Sequence, residues 1–184
     1  MKQGICTLAV TFILQALMGW TTTPTRAQQP KTDVARATAL IARAEAIQLR
    51  SDFNKKARLY ETAASLLPVG DSRASYSLRN AGAIAHELGK SGWSMSLLER
   101  SAELAAKRGN VTEAADTYVA ALFVALESGS RSAARRFIDR ALSLTGSPAM
   151  PETDRQRILR RIAQPAAQVR ASLPPAVAPV LVIR

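Results

Sequence analysis

The sequence predicts an all-α fold made of stacked helix pairs, and three observations predict it. Apolar and small residues recur at steps of three and four along most of the chain, which places them on one side of a helix. Glycine turns such as Leu88-Gly89-Lys90, Arg108-Gly109-Asn110 and Ser128-Gly129-Ser130 separate these stretches. The pattern also returns at a fixed interval: Ala134, Ile138, Ala141 and Leu144 repeat Ser94, Leu98, Ser101 and Leu104 after 40 residues. Upstream, Phe53, Tyr60, Ala63 and Leu66 precede Ser91, Leu98, Ser101 and Leu104 by 38. Self-similarity at such a period marks supersecondary units that bury their apolar faces only against one another.

In chain order, residues 1–27 have the three zones of an export leader: Lys2, an apolar run from Gly4 to Trp20, and small residues Thr25 and Ala27 flanking Arg26. The run is short of the roughly 20 residues that span a bilayer. Cleavage yields a periplasmic or secreted chain; the alternative is an uncleaved inner-membrane anchor. Cys6 is the single cysteine and lies inside the leader, so the mature chain has no disulfide, thiol nucleophile or thiolate metal site.

The repeat region spans residues 28–163, with units at about 33–68, 71–109 and 111–146. Thr32 or Asp33 caps a first helix running to about Arg50, striped by Ala37, Leu40, Ile41, Ala44 and Ile47. Arg36, Arg43 and Arg50 recur every seven residues along its side, either as an anion-binding rail or as the wetted face of an end unit. A second helix covers about 54–67 and is broken by Pro68-Val69-Gly70; Asp71 or Ser72 caps the third, 73–88. The fourth begins near Gly92 or Trp93 and carries the small-residue face Ser94, Ser101, Ala102 and Ala105. Helices at 111–127 and 131–144 make the third unit. A last helix, 151–163, has Glu152 and Asp154 in its first turn, an apolar strip of Ile158, Leu159 and Ile162, and Pro165 as its stop. It is expected to cover the last unit. The tail, 164–184, is Pro-rich and expected to be extended or disordered; its sticky Val180 to Ile183 either folds back or adds to a partner as a strand.

Nineteen Arg and six Lys against fourteen acids leave a net charge of +11, which favours anionic partners or reflects a solvated basic surface. No catalytic constellation is present. His86 is the lone histidine, Glu99 and Glu103 read as surface ion-pair residues beside Arg100 and Lys107, and the glycines form helix ends in place of a phosphate loop. Neither a cofactor nor a metal site is expected.

The stretch Arg58 to Pro68, RLYETAASLLP, resembles the second helix of the tetratricopeptide repeat, with Tyr60, Ala63 and Pro68 at the aromatic, small and proline positions. Gly82 stands at the family's first-helix glycine, and Gly129, Ala134 and the Ala141-Leu142 pair extend the likeness over about residues 35–144. Lys56 and Leu122 depart from the pattern, and the interval exceeds the family's roughly 34 residues by about one helical turn. The resemblance implies a right-handed α-solenoid of about three tetratricopeptide-like pairs plus the C-terminal cap, acting as a non-catalytic scaffold that binds a peptide or partner helix in a groove. It also implies that the first helices line this groove through Thr38, Ile41, Glu45 and Gln48, then Tyr76, Arg79, Ala83 and His86, then Asp116, Val119 and Phe123.

Tyr76 and Phe123 are the anchor candidates, with Arg79 fixing a carboxylate or carbonyl; the other reading makes both aromatics inter-repeat packing. The family's carboxylate clamp is not reproduced, because Ala83 stands where an Asn is needed. The alternative function is electrostatic binding of anionic envelope polymer or lipid headgroups through the arginines. The leader disfavours nucleic acid as a partner. The sequence does not fix an oligomeric state.

Overall fold

The computed structural model describes residues 29–171, so the leader and residues 172–184 lie outside the described residues. The chain divides into two compact units after Thr32. Of the first, only residues 29–32 are described, as the start of α1; the second, from Asp33, holds the remainder of α1 and every later helix. Among the described residues the structure is all-α. Its helices are α1 (Gln29–Glu45), α2 (Phe53–Leu66), α3 (Ser72–Glu87), α4 (Ser91–Lys107), α5 (Val111–Glu127), α6 (Arg131–Thr145) and α7 (Glu152–Ala171), with one 3-10 turn, Arg50–Asp52, before α2.

Three of the helix ends are the same device. Gly89, Gly109 and Gly129 have φ of 70°, 82° and 72°, a region open to glycine at little steric cost. Each glycine amide donates to the carbonyl three residues back, and the next amide donates five residues back, as in Lys90 N to Ala85 O at 2.9 Å and Ser130 N to Ala125 O at 2.8 Å. This closes the last carbonyls of α3, α4 and α5 and reverses the chain into the following helix. α2 ends differently. Leu67 precedes Pro68, is pushed to ψ 144° by the proline ring, and so cannot continue the helix. Asp71 then caps α3 by accepting from Arg73 N at 2.9 Å.

From α2 onward each helix packs against the next, and α7 packs against both α5 and α6. The core is largely alanine at helix contacts: Ala37, Ala57, Ala63, Ala81, Ala102, Ala121 and Ala141 are fully buried. Small side chains bring helix backbones close enough for hydroxyl contacts. Ser94 Oγ donates to Gly82 O at 2.8 Å and Ser101 Oγ to Ser75 O at 2.7 Å, both from α4 to α3. Larger side chains fill the remaining space, with Phe137, Leu122, Ile158 and Ile162 in the cluster that joins α4 through α7.

Three expected boundaries are corrected. The first helix begins at Gln29, so Thr32 and Asp33, expected as its cap, lie inside it; Pro30 suits a first turn, whose N–H groups have no partner within the helix. The first helix stops at Glu45, five residues short of Arg50: Gln48 Nε2 takes the carbonyl of Glu45 at 3.1 Å, and Lys56 Nζ takes that of Ile47 in the following loop at 3.0 Å. Arg50 therefore sits on the 3-10 turn, and the seven-residue arginine row does not run along one helix. The last helix does not stop before Pro165 but runs through it to Ala171. A proline inside a helix costs about 3 kcal/mol. Here Ile158, Ile162 and Val169 are buried on both sides of Pro165 in the α4 to α7 cluster, and that burial holds the helix together. Residues 164–171, expected to belong to an extended tail, are helical.

Candidate functional site

Polar side-chain contacts between residues about one repeat interval apart fall into two rows. In the odd-numbered row, Arg73 Nη1 donates to Thr38 Oγ1 at 2.9 Å, Ser75 Oγ to Glu113 Oε1 at 2.8 Å, and His86 Nε2 lies 3.1 Å from Glu127 Oε2. The row continues to α7, where Asp116 accepts from Arg157 at 2.6 and 2.8 Å and from Arg161 at 2.8 Å. In the even-numbered row, Lys90 Nζ donates to Asn54 Oδ1 at 2.7 Å, Arg100 Nη1 to Glu61 Oε1 at 2.9 Å, and Arg136 Nη2 to Glu99 Oε2 at 3.2 Å. The Arg58 guanidinium also stacks 4.2 Å from the Trp93 ring centre. The hydrogen-bonded pairs in both rows are separated by 35 to 45 residues, close to the interval seen in the sequence.

On the odd-numbered row a shallow depression of ≈ 450 Å³ is lined by Ser72, Arg73, Tyr76, Arg79 and Glu113. α3 places the first four of these on one side, and α5 supplies Glu113. Tyr76 is 40% exposed, and its ring meets Tyr60 edge-on, with centroids 6.5 Å apart and planes at 86°. Arg73 is held by Asp71, donating from Nε at 3.0 Å and from Nη2 at 2.6 Å. This fork holds the Asp71 carboxyl below its ordinary range and raises the Arg73 guanidinium. Arg108 Nη2 donates to Glu113 Oε2 at 2.6 Å, and its Nη1 to Ser75 Oγ at 3.1 Å.

The predicted site residues separate into three groups. Tyr76 and Arg79 come together in the depression. Phe123 is 39% exposed on α5 and His86 is partly exposed beside Glu127, but neither lines the depression. Val119 does not line a surface: it is fully buried in the α4 to α7 cluster, because α5 packs against α4, α6 and α7 and leaves that side no solvent. Ile41 is half-buried against the α1 to α4 core, and Gln48 lies beyond the end of α1, bonded to Glu45 O. Asp116 is occupied by two arginines of α7. Asp116 and Asp154 together raise the Arg157 guanidinium above its ordinary value, Asp116 by the larger amount.

Sequence reasoning did not single out Ser72, Arg73 or Glu113 as site residues. The 38-residue separation of Ser75 and Glu113, equal to one of the repeat intervals, is the signal that could have found their contact.

Among the described residues no three His, Cys, Asp or Glu side chains gather as a metal ion requires, and no helix is long and apolar enough to cross a membrane. Compared with models of known protein families and with curated proteins, the chain matches none.

Proposed function

We propose that the protein is a non-catalytic interaction scaffold that receives a segment of a partner protein on the exposed side of its odd-numbered helices. In this reading α1 with α2, α3 with α4 and α5 with α6 are tetratricopeptide-like pairs of a right-handed α-solenoid, and α7 covers the last pair. The leader directs the chain to the periplasm or outside the cell. The observation that carries the reading is the juxtaposition of Tyr76 and Arg79 on α3, an exposed ring beside a cation, in a depression whose other charges are already paired. Aromatic rings and arginines dominate the energetics of protein recognition.

The test is capture from envelope extract with wild-type chain and with Tyr76→Ala, followed by mass spectrometry of the retained proteins. A partner held by the wild type and lost from the variant, at unchanged thermal stability, supports the reading. Equal retention by both removes it.

A second reading, binding of an anionic envelope surface, is favoured by α6, where Arg131, Arg135 and Arg140 have no ion-pair partner among the described residues. It predicts affinity that falls steeply between low and physiological salt.

A further inference from the structure

We propose that the Tyr76 depression is a subsite for the carboxylate side chain of an Asp or Glu that stands beside an apolar residue in the partner segment; this rests on the scaffold reading above. Charge balance and the pairing of each charged group point to it. Two guanidinium groups and one carboxylate line the depression, Arg73, Arg79 and Glu113, and Asp71 and Arg108 are the ion-pair partners of Arg73 and Glu113. Asp71 is taken up by Arg73 through paired hydrogen bonds of 3.0 and 2.6 Å. Glu113 is taken up by Arg108 at 2.6 Å and by Ser75 at 2.8 Å. Arg79 alone has no hydrogen bond or ion pair among the described residues, which leaves one uncompensated positive charge on the lining.

A planar guanidinium with free donors matches a carboxylate in two-point geometry. A phosphorylated side chain carries about −2 charge and would need a second free cation, while Glu113 on the lining opposes it. The apolar requirement comes from Tyr76. Its ring meets Tyr60 edge-on and the residue is 40% exposed, which leaves apolar area that an adjacent Leu, Ile or Phe can cover. The neighbouring arginines are weaker competitors for the ligand, because the charge of Arg73 is paired with Asp71 and that of Arg108 with Glu113.

The experiment uses the full chain and terminally blocked fluorescent dodecapeptides, each with one central residue between two leucines. The central residue is Asp, Glu, Asn, Gln, Lys or phosphoserine, and affinity is read by fluorescence polarisation. The Asp and Glu peptides should bind about tenfold tighter than their Asn and Gln counterparts, the scale of a hydrogen bond to a charged group. Arg79→Gln should erase that ratio while leaving the weaker apolar binding, and Arg79→Lys should keep part of it. Tyr76→Ala should weaken all the peptides alike, so its effect reports on the scaffold reading and the Arg79 ratio on the carboxylate subsite. Equal binding of Asp and Asn peptides, survival of the ratio in Arg79→Gln, preference for phosphoserine, or no peptide bound by the wild type would each overturn the proposal.

Discussion

Gly82 gives the sharpest test of how closely α3 and α4 approach. In an exposed helix, Gly→Ala stabilises by about 0.5 to 1 kcal/mol, because glycine loses the most backbone freedom on folding. Here a Cβ built on Gly82 would lie 2.8 Å from Leu98 Cγ, 3.0 Å from Leu98 Cδ2 and 3.4 Å from the Ser94 carbonyl. Leu98 is buried, and the nearest atom is its branch point, so rotating the tip of the side chain does not clear the contact. The two helices must part instead, which stretches the 2.8 Å bond from Ser94 Oγ to the Gly82 carbonyl. Overpacking of this kind costs about 1 to 3 kcal/mol. Repulsion therefore outweighs the backbone gain, and Gly82→Ala should destabilise by about 1 to 2 kcal/mol.

In a Leu98→Ala background the obstructing atoms are gone, and the same substitution should stabilise by about 0.5 to 1 kcal/mol. Leu98→Ala alone costs about 2 to 5 kcal/mol, so all four chains are compared in sucrose, which keeps the weakest folded. The assay is urea unfolding followed by circular dichroism, analysed as a double-mutant cycle. A stabilising Gly82→Ala in the wild type, or one effect in both backgrounds, would refute the close approach of the two helices.

Three further outcomes rest on the same geometry. Val119→Ala should cost about 2 kcal/mol because Val119 is fully buried, whereas Phe123→Ala, though it deletes a much larger side chain, should cost only about 1 to 2 kcal/mol because the residue is 39% exposed; thermal melts of the pair check that the larger deletion is not the costlier one. Asp116→Ala frees Arg157 and Arg161 together, but these pairs are partly exposed and worth about 1 kcal/mol at most; hydrogen exchange should accelerate over 157–169 and stay unchanged over α3 and α4. Asp71 has a folded pKa lowered below 3.8, chiefly by its hydrogen bonds to Arg73, so its contribution is present above that value and lost as pH falls through the folded pKa. Asp71→Asn should therefore lower the melting temperature at neutral pH, with the difference from wild type shrinking below pH 3.8; a constant difference down to full protonation would contradict this assignment.

Local chemistry alone determined most of the helices. Asp71 and Asn110 cap α3 and α5, Pro68 ends α2, and Gly89, Gly109 and Gly129 end α3, α4 and α5, because each acts through its own backbone and near neighbours. Periodicity likewise marked Ser94, Ser101 and Ala141 as close-packing residues, since a fixed step along a helix selects one face.

What periodicity could not assign was which side of a helix stays wet once neighbours close on several faces. Val119 and Phe123 stand four apart on α5, yet one is enclosed and the other exposed, a choice made by α4, α6 and α7. Pro165 shows the reverse case, where burial of Ile162 and Val169 overrides a local stop signal. The site follows the same division. Tyr76 and Arg79 were legible from their three-residue step on α3. Arg73 with Asp71 and Arg108 with Glu113 are near neighbours in the chain, but that Glu113 also meets Ser75 and that Asp116 turns to Arg157 and Arg161 of α7 was decided by the tertiary structure, because partner choice among distant groups depends on distances that only packing sets.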